Sequence, residues 1–307
     1  AAETFVVLAD GSTELKTLAA QTGLASNTSG ANVLISETGS ITIAADNTVT
    51  AAVNGRVLLD AATDLSVNAN ISSGAGSITL VAGNDFNLAA DITVTTGISG
   101  QILVLADGAI NTAANSRFIN ADGNVLLSAA DDIVLGGIQS SGRVALMSDN
   151  GSVLRAGSDS FNREVIGSQL LLSAANGTVG TNVSGEIFRT QVARVAAVTA
   201  DGLYMTNAAA LRVDAVSVPF RAVNADGSLA AEASVSLAGA ILATAADSEI
   251  RLTVETQNLT LGNLSAELVF VRTVTGSILD GGYSPTQIIA TNAELIAASA
   301  IGAAGAG

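Results

Sequence analysis

The chain alternates apolar and polar residues in a pattern that repeats along its length. Between Gly76 and Val94, apolar side chains occupy nearly every second position, and Asn84 interrupts them once. Alternation of this kind is the period of a β-strand, because successive side chains point to opposite faces. The pattern therefore predicts strands that bury one face and are separated by a polar corner.

The same frame recurs, each time beginning at a glycine. Consecutive frame glycines lie 16 to 24 residues apart, and no helical period separates the strands between them. They are Gly39, Gly55, Gly76, Gly100, Gly123 and Gly142. Repeats of this length that consist of strands alone indicate a solenoid of stacked coils.

We therefore expect an all-β, right-handed parallel β-helix with about three short strands per coil and about 13 to 15 coils. At the usual spacing of stacked strands its shaft is on the order of 65 Å long. The alternation directs Leu59, Leu80 and Leu127 into the coil interior.

The whole chain, residues 1–307, is expected to form one elongated domain, because each coil of a solenoid contacts its neighbours. Residues 1–38 are predicted to form irregular opening coils, with a strand at residues 5–8 and a turn at residues 10–11. Regular coils follow at 39–150, irregular coils with loops at 151–221, and regular coils again at 222–307, where we expect the last coil to be open.

Composition narrows the function classes. Hydrophobic residues make up 49% of the chain but aromatic residues only 3%, so Val, Ile, Leu and Ala must fill the core. The net charge of −15 repels phosphate backbones and anionic headgroups, which argues against nucleic acid as a partner. Without cysteine or histidine there are no disulfides, thiolate metal sites or imidazole bases. No apolar run approaches the roughly 20 residues of a membrane span, so no membrane insertion is expected.

Asp and Asn recur at the predicted corners, for example at Asp64, Asn84 and Asp131. Asx side chains bond to nearby backbone amides and tolerate left-handed conformations, so they suit corners. A stack of such oxygens is also compatible with calcium. We favour corner chemistry, because the glycine-rich nonapeptide of calcium-binding β-rolls is absent, and we predict neither metal ligands nor a cofactor.

Seven of the twelve basic residues lie between residues 143 and 221, together with four of the nine aromatic ones. One interpretation is that longer loops dock on the flank of the solenoid, with arginines paired to residues such as Glu164 and Glu186. The other is that this region forms a recognition face, because insertions in repeat arrays often map to one face and bind there. We favour the structural interpretation, because arginine stems also cover apolar surface without any ligand.

The coil frame resembles the filamentous-haemagglutinin-like β-helix repeats of large bacterial exoproteins and adhesins. The resemblance rests on segments such as residues 55–67 and 123–135, and on the phrases at 276–282 and 299–302. It implies a secreted, non-enzymatic shaft that is extracellular or lies at the bacterial cell surface and acts in adhesion. It further implies a host or cell-surface receptor or a glycan as a partner. The resemblance does not extend to the N-terminal secretion domain of that family.

Two other functions compete with this expectation. Parallel β-helices also include polysaccharide lyases and hydrolases, and a hydrolase needs paired carboxylates at a defined separation. For a hydrolase the candidates are the adjacent pair Asp131 and Asp132, with Asp85 one coil earlier. A lyase instead needs carboxylates for calcium and an arginine or lysine base, and its best set is Asp131, Asp132 and Asp149 with Arg143 or Arg155. We expect no enzyme, because turn chemistry explains these acidic residues better, and we predict no catalytic residue.

The third function is a filament subunit. Apolar ends would join copies head to tail, unless further repeats of the same polypeptide supply the next coil.

Overall fold

The computed structural model describes residues 23–26, 29–157, 162–282 and 287–302, together with the backbone of two strands near the N-terminus. Every regular element in this part of the chain is a β-strand, and, apart from two antiparallel pairs, the strands stack in parallel as a β-solenoid of about 11 turns, which confirms the predicted fold class.

The strands, in chain order, are β1 (Glu3–Val7), β2 (Thr13–Thr17), β3 (Leu24–Ser26), β4 (Ala31–Ser36), β5 (Ile41–Ile43), β6 (Val49–Ala51), β7 (Arg56–Ala61), β8 (Leu65–Val67), β9 (Ile71–Ser73), β10 (Ile78–Ala82), β11 (Phe86–Leu88), β12 (Thr93–Thr96), β13 (Ile102–Ala106), β14 (Ile110–Thr112), β15 (Arg117–Asn120), β16 (Val125–Ala129), β17 (Ile133–Leu135), β18 (Ile138–Ser140) and β19 (Arg143–Ser148). They continue with β20 (Val153–Arg155), β21 (Val165–Ile166), β22 (Gln169–Ala174), β23 (Thr178–Val179), β24 (Phe188–Gln191), β25 (Arg194–Thr199), β26 (Gly202–Asn207), β27 (Leu211–Val213), β28 (Val216–Phe220), β29 (Ala233–Leu237), β30 (Ala240–Ala243), β31 (Glu249–Val254), β32 (Leu259–Leu261), β33 (Asn263–Ser265), β34 (Leu268–Thr273), β35 (Ile278–Asp280), β36 (Ile288–Ile289) and β37 (Asn292–Ala297).

Most turns in the first two thirds of the chain consist of one long strand followed by two short ones. The long strands from β4 to β25 stack into one face, and the short strands stack into a second sheet. Leu59, Leu80 and Leu127 on the long face are fully buried, which confirms the predicted inward register. Leu80 pairs directly with Leu59, so like side chains stack from one turn to the next.

The frame glycines mark the corner that leads into each long strand. A Cβ atom built on Gly76, Gly100, Gly123 or Gly142 would come closer than 3.0 Å to the carbonyl oxygen of the frame glycine one turn earlier. Each glycine is therefore required because the next turn's backbone packs directly on it. This gives a steric reason for the glycine that opens the repeat.

A ladder of buried polar side chains satisfies the same carbonyl groups from inside. Ser73 Oγ donates to the carbonyl oxygen of Gly55 at 2.7 Å, and Asn120 Nδ2 donates to that of Gly100 at 2.9 Å. Ser140 Oγ continues the ladder to Gly123 at 2.7 Å. Because a buried backbone carbonyl without a partner is costly, this ladder explains why the third strand ends in a polar residue although it faces the core.

The prediction that Gly39 opens a coil in the same way as Gly55 is wrong. The structure places Gly39 before β5, a short strand, with Ile41 paired to Leu65. The equivalent of Gly55 is Gly30, whose carbonyl oxygen accepts the amide of Arg56 at 3.3 Å. Both corners carry a glycine before an alternating strand, so alternation alone did not distinguish them.

The predicted number of coils, 13 to 15, was too high. The structure has about 11 turns, which at the spacing of stacked strands corresponds to a shaft about 50 Å long. Later turns are longer than the assumed repeat: Val144 pairs with Leu170, and Leu170 pairs with Val195. In addition, the segment that holds β28 and β29 adds no turn.

The cross-section of the solenoid changes near residue 202. The two short strands β23 and β24 both pair with the single strand β26, so the corner between them disappears in the next turn. On the opposite side the long strand β25 pairs with both β27 and β30, which opens a new corner there. The last turns thus have one long strand on the side where each earlier turn had two short strands.

A β-hairpin is inserted at the new corner. Strands β28 and β29 pair antiparallel, with Val216 opposite Leu237 and Phe220 opposite Ala233. We call residues 216–237 the strap, because the hairpin lies along the outer surface of the long face. It crosses the predicted boundary at residue 222 and extends the irregular part of the chain to residue 237.

The strap covers a second apolar cluster outside the solenoid interior. Outward-facing residues of five consecutive long strands form its base: Leu103, Leu126, Ala145, Leu171 and Ala196. Val216 and Val218 of the strap are buried against them. The outer surface of this sheet is therefore buried as well, which explains long strands with three consecutive apolar residues instead of strict alternation.

The strap runs back along the shaft through evenly spaced hydrogen bonds. Its backbone oxygen atoms accept Arg143 Nη1 at Ser217 (2.7 Å) and Asn124 Nδ2 at Pro219 (2.7 Å). Further along, Val223 N donates to Thr79 Oγ1 at 2.9 Å. The carbonyl oxygen of Gly227 at the tip accepts Arg56 Nη1 at 2.9 Å, across 171 residues of sequence. The strap thereby connects turns that have no direct contact with each other.

Near the N-terminus, the strand predicted at residues 5–8 overlaps β1, which pairs antiparallel with β2. The turn predicted at residues 10–11 lies outside the described residues.

Candidate functional site

The acidic residues considered for catalysis form the corner before the second strand of each turn. Asp85 Oδ1 accepts the amide of Ala109 at 2.8 Å, and Asp132 Oδ1 accepts that of Ser152 at 2.7 Å. Each carboxylate thus caps the backbone of the following turn. This is the corner chemistry that the sequence favoured.

The two arginines of the candidate set point to other partners. Arg143 Nη1 donates to the strap, and Arg155 Nε donates to Glu164 Oε1 at 2.8 Å. Within the described ranges, no group of three or more Asp, Glu, His or Cys side chains is arranged to hold a metal ion. Asp132, Arg143 and Arg155 of the lyase-like set therefore each make a separate structural contact.

Glu164 accepts two arginines in a buried cluster at the irregular corner after β20. Its Oε1 atom lies 2.8 Å from Arg155 Nε and 2.7 Å from Arg189 Nη2, and its side chain is 1% exposed. The predicted pairing of arginines with Glu164 is confirmed. Glu186, the other predicted partner, instead accepts the hydroxyl of Thr181 at 2.9 Å. Since a buried carboxylate requires pairing, this cluster has a structural role.

A groove lies where the cross-section of the solenoid changes. The loop of residues 180–187, which joins β23 to β24, stands beside the outer surface of β26 because the following turn has no corner beneath it. Gly180 adopts a φ of +65° and packs against the carbonyl oxygen of Tyr204 and the amide of Phe188. Asn182 and Ile187 of this loop form one wall of the groove.

The floor of the groove is a row of outward-facing side chains from four consecutive strands. Tyr204 of β26 pairs with Arg251 of β31, Arg251 with Phe270 of β34, and Phe270 with Glu294 of β37. On the first three of these strands the neighbouring residues point inward and are buried, as expected for alternation. Adjacent members of the row are about 4.8 Å apart, so the floor is a linear platform along the solenoid axis.

Arg251 is held between the two aromatic members of this row. Its guanidinium carbon lies 4.2 Å from the centre of the Phe270 ring, and its Nε atom lies 2.6 Å from Glu249 Oε1. Asn182 Nδ2 donates to the other oxygen of Glu249 at 3.4 Å. Stacking and ion pairing together fix the plane of the guanidinium group.

Tyr204 remains protonated at neutral pH. Burial, and after it the negative charge of Glu249, raises the pKa of Tyr204 to about 12. The hydroxyl group therefore stays protonated beside Glu249 and does not serve as a base near neutral pH.

The groove has a volume of about 300 Å³ and continues over a second row, which contains Thr206, Thr253 and Arg272. The Arg272 side chain is exposed, and it forms no ion pair within the part of the chain that the structure describes. The groove therefore combines aromatic faces, hydroxyl groups and guanidinium groups, a composition suited to a polar ligand with an apolar face.

Comparison of the chain with family models, with curated proteins and with solved structures gives no match. The resemblance to haemagglutinin-like repeats thus rests on the coil frame alone. The described residues form no helix that is both long and apolar enough to cross a membrane.

The groove was not predicted from the sequence. In the chain, the strap lies between Tyr204 and the other three floor residues. Their alignment therefore depends on the pairing register of β26 with β31, which the sequence did not reveal. A signal was nevertheless present, because Tyr204, Arg251 and Phe270 each occupy an outward position in an alternating strand. Three large or charged side chains at equivalent outward positions are unusual in a chain with so few aromatic residues.

Proposed function

We propose that this chain is a non-catalytic, structural and adhesive segment of an extracellular β-solenoid exoprotein of bacterial origin. The strap is the observation that carries the proposal. A plain solenoid depends on contacts between neighbouring turns, whereas the strap bonds to turns from Arg56 to Arg143 and beyond. Such bracing suits a rigid spacer that holds a binding surface away from a cell.

The corner carboxylates support a non-catalytic role. Asp85 and Asp132 use an oxygen atom to accept backbone amides, and Arg143 and Arg155 are engaged elsewhere. A general acid or base must reach its substrate with a free, suitably tuned group. The haemagglutinin-like coil frame supports the extracellular, adhesive part of the proposal.

Self-association is the proposed contact at the last described turn, either with a second copy head to tail or with further repeats of the same polypeptide. Leu295 and Ala297 are only half-buried there, whereas Val271 and Thr273, their partners in the preceding turn, are buried. Another turn would cover these side chains. Sedimentation over a range of concentrations tests stacking: a monomer at all concentrations would contradict self-association of this chain.

The adhesive role is tested with beads coated with the purified chain and applied to epithelial cells and to bacteria. We expect retention above that of beads coated with a charge-matched control protein. A matched variant, Val218→Asp, reports on the strap, because Val218 is fully buried beneath it. Equal retention of chain-coated and control beads would contradict adhesion.

A carbohydrate-active enzyme is the second candidate function, and the groove is the observation that favours it. The groove places Glu249 and Glu294 near aromatic side chains that suit a sugar ring. Incubation with a panel of polysaccharides, followed by measurement of reducing ends and of unsaturated products, separates the two functions. Product formation that Glu249→Gln abolishes would replace our proposal.

A further inference from the structure

The groove beside residues 180–187 has a composition that identifies a class of ligand. We propose that it binds a carboxylate-bearing glycan, with a sugar ring on the aromatic floor and a sugar carboxylate on the arginines. This extends the proposed adhesive function by naming its ligand, and it rests on that function only for the absence of cleavage. The proposal uses Tyr204, Arg251, Phe270 and Arg272.

The aromatic floor indicates a ring-shaped ligand. Tyr204 and Phe270 are half-buried and lie two strands apart in one row, with the Arg251 guanidinium plane between them. Aromatic faces bind apolar C–H surfaces of flat ligands, and side chains that are already held by packing lose little entropy on binding. A platform that repeats with each strand matches a linear chain of rings better than a single small molecule.

The arginines indicate a carboxylate. The Nε atom of Arg251 forms an ion pair with Glu249. Among the described residues, the Arg251 side chain forms no further ion pair or hydrogen bond. Arg272, two residues beyond Phe270, is exposed and has no ion pair there. Guanidinium groups present a planar fork that matches the two oxygens of a carboxylate. An exposed arginine without an ion pair among the described residues, such as Arg272, is conspicuous in a chain with 27 acidic and 12 basic residues.

A peptide fits the groove less well than a glycan. A peptide strand would add to the edge of a sheet through backbone hydrogen bonds, but most of the groove presents the outer face of a sheet in which β26, β31 and β34 are already paired on both sides. The hydroxyl groups of Thr206 and Thr253 in the adjacent row provide partners for sugar hydroxyls.

Glu294 allows the proposal to be tested by the direction in which a substitution changes the affinity for the ligand. This exposed carboxylate lies opposite Phe270 in the row, where it repels an anionic ligand. Removing its charge should therefore strengthen binding of an acidic sugar, which is a result that general damage to the groove would not produce.

Isothermal titration of the full 307-residue chain with trigalacturonate tests the inference, with galactotriose as the neutral match and a sulfated galactotriose as the second anion. We expect trigalacturonate to bind at least about tenfold more tightly than galactotriose. Arg272→Ala should lower its affinity about tenfold or more, Arg272→Lys less so, and Phe270→Ala should weaken it as well. Glu294→Gln should raise it, and Asn111→Ala, on the outer face of an earlier turn, should leave it unchanged.

Equal affinity for acidic and neutral trisaccharides, or full affinity in Arg272→Ala, would overturn the assignment. Binding of the sulfated sugar alone would contradict the assignment of a carboxylate as the recognised group. Binding of an acidic peptide, with none of the sugars bound, would contradict the assignment of a glycan as the ligand. Cleavage of bound trigalacturonate would instead refute the non-catalytic proposal and leave the ligand assignment intact.

Discussion

The frame glycines make the sharpest prediction about stability, and Gly123→Ala is the most informative substitution. The new Cβ atom would overlap the carbonyl oxygen of Gly100, at less than the 3.0 Å that real Cβ atoms respect. That oxygen is backbone, so it moves only if the two turns separate at the corner. Separation strains the hydrogen bond from Asn120 Nδ2 to Gly100 O (2.9 Å) and the one from Gly123 N to Asn120 Oδ1 (2.6 Å).

The cost follows from these buried groups. Leaving a buried donor or acceptor unsatisfied costs about 1–3 kcal/mol, and two such bonds are at risk. We therefore expect Gly123→Ala to lower the free energy of unfolding by about 3–5 kcal/mol. The cost is large compared with a total of about 5–15 kcal/mol for a typical domain.

Urea denaturation followed by far-ultraviolet circular dichroism measures the change, and amide hydrogen exchange locates it at the turns on either side of residue 123. Gly39→Ala is the matched control, because the nearest atom to its new Cβ is Ser36 Oγ at 3.7 Å, an ordinary contact. We expect that control to shift stability by no more than about 0.5 kcal/mol. If both variants unfold at the same urea concentration, close packing of successive glycine corners is not what fixes this residue.

Three further predictions address the core, the strap and the corners, and a fourth addresses the groove. Leu127→Asp buries an unpaired charge in the fully enclosed interior and should cost several kcal/mol in thermal or urea unfolding; a parent-like melting curve would contradict the inward register. Val218→Asp should release the strap, seen as faster hydrogen exchange across residues 216–237 while the circular dichroism of the solenoid persists. Chelation of calcium should leave the melting temperature unchanged, because the corner carboxylates accept backbone amides; a shift of many degrees would show an ion ladder instead. The phenol of Tyr204 should ionise near pH 12 in an ultraviolet titration, with Tyr204→Phe as the blank, and Glu249→Gln should lower that pKa because it removes a negative charge.

The solenoid was predictable because its signal is local. Alternation alone placed Leu59 and Leu127 in the interior, and the repeat identified stacked coils without helices. The turn count failed for a reason that is not local, since β28 alternates apolar and polar residues like any coil strand. Only the outward-facing apolar row of five earlier strands decides that β28 folds back over the shaft.

The groove could not be predicted from the sequence, for a related reason. Tyr204 and Arg251 are neighbours because the strap loops out between them and adds no turn. If the strap is counted as one more coil, Tyr204 and Arg251 no longer lie in neighbouring turns, and their pairing is not predicted. The Arg155–Glu164–Arg189 cluster was partly predictable, because Glu164 is one of few acidic residues in an arginine-rich segment.

The strap also has a consequence for the order of folding. Its tip bonds to Arg56 across 171 residues of sequence, so it can dock only after the turns that it crosses have stacked. Contacts between residues distant in sequence form slowly, whereas each turn can add to its predecessor soon after it is synthesised. Assembly would therefore proceed in two kinetic phases, a fast growth of the shaft from the N-terminal side and a late closure by the hairpin. Until that closure, the outer row from Leu103 to Ala196 stays open to water, and a chain stalled at this stage presents an apolar strip to other stalled chains.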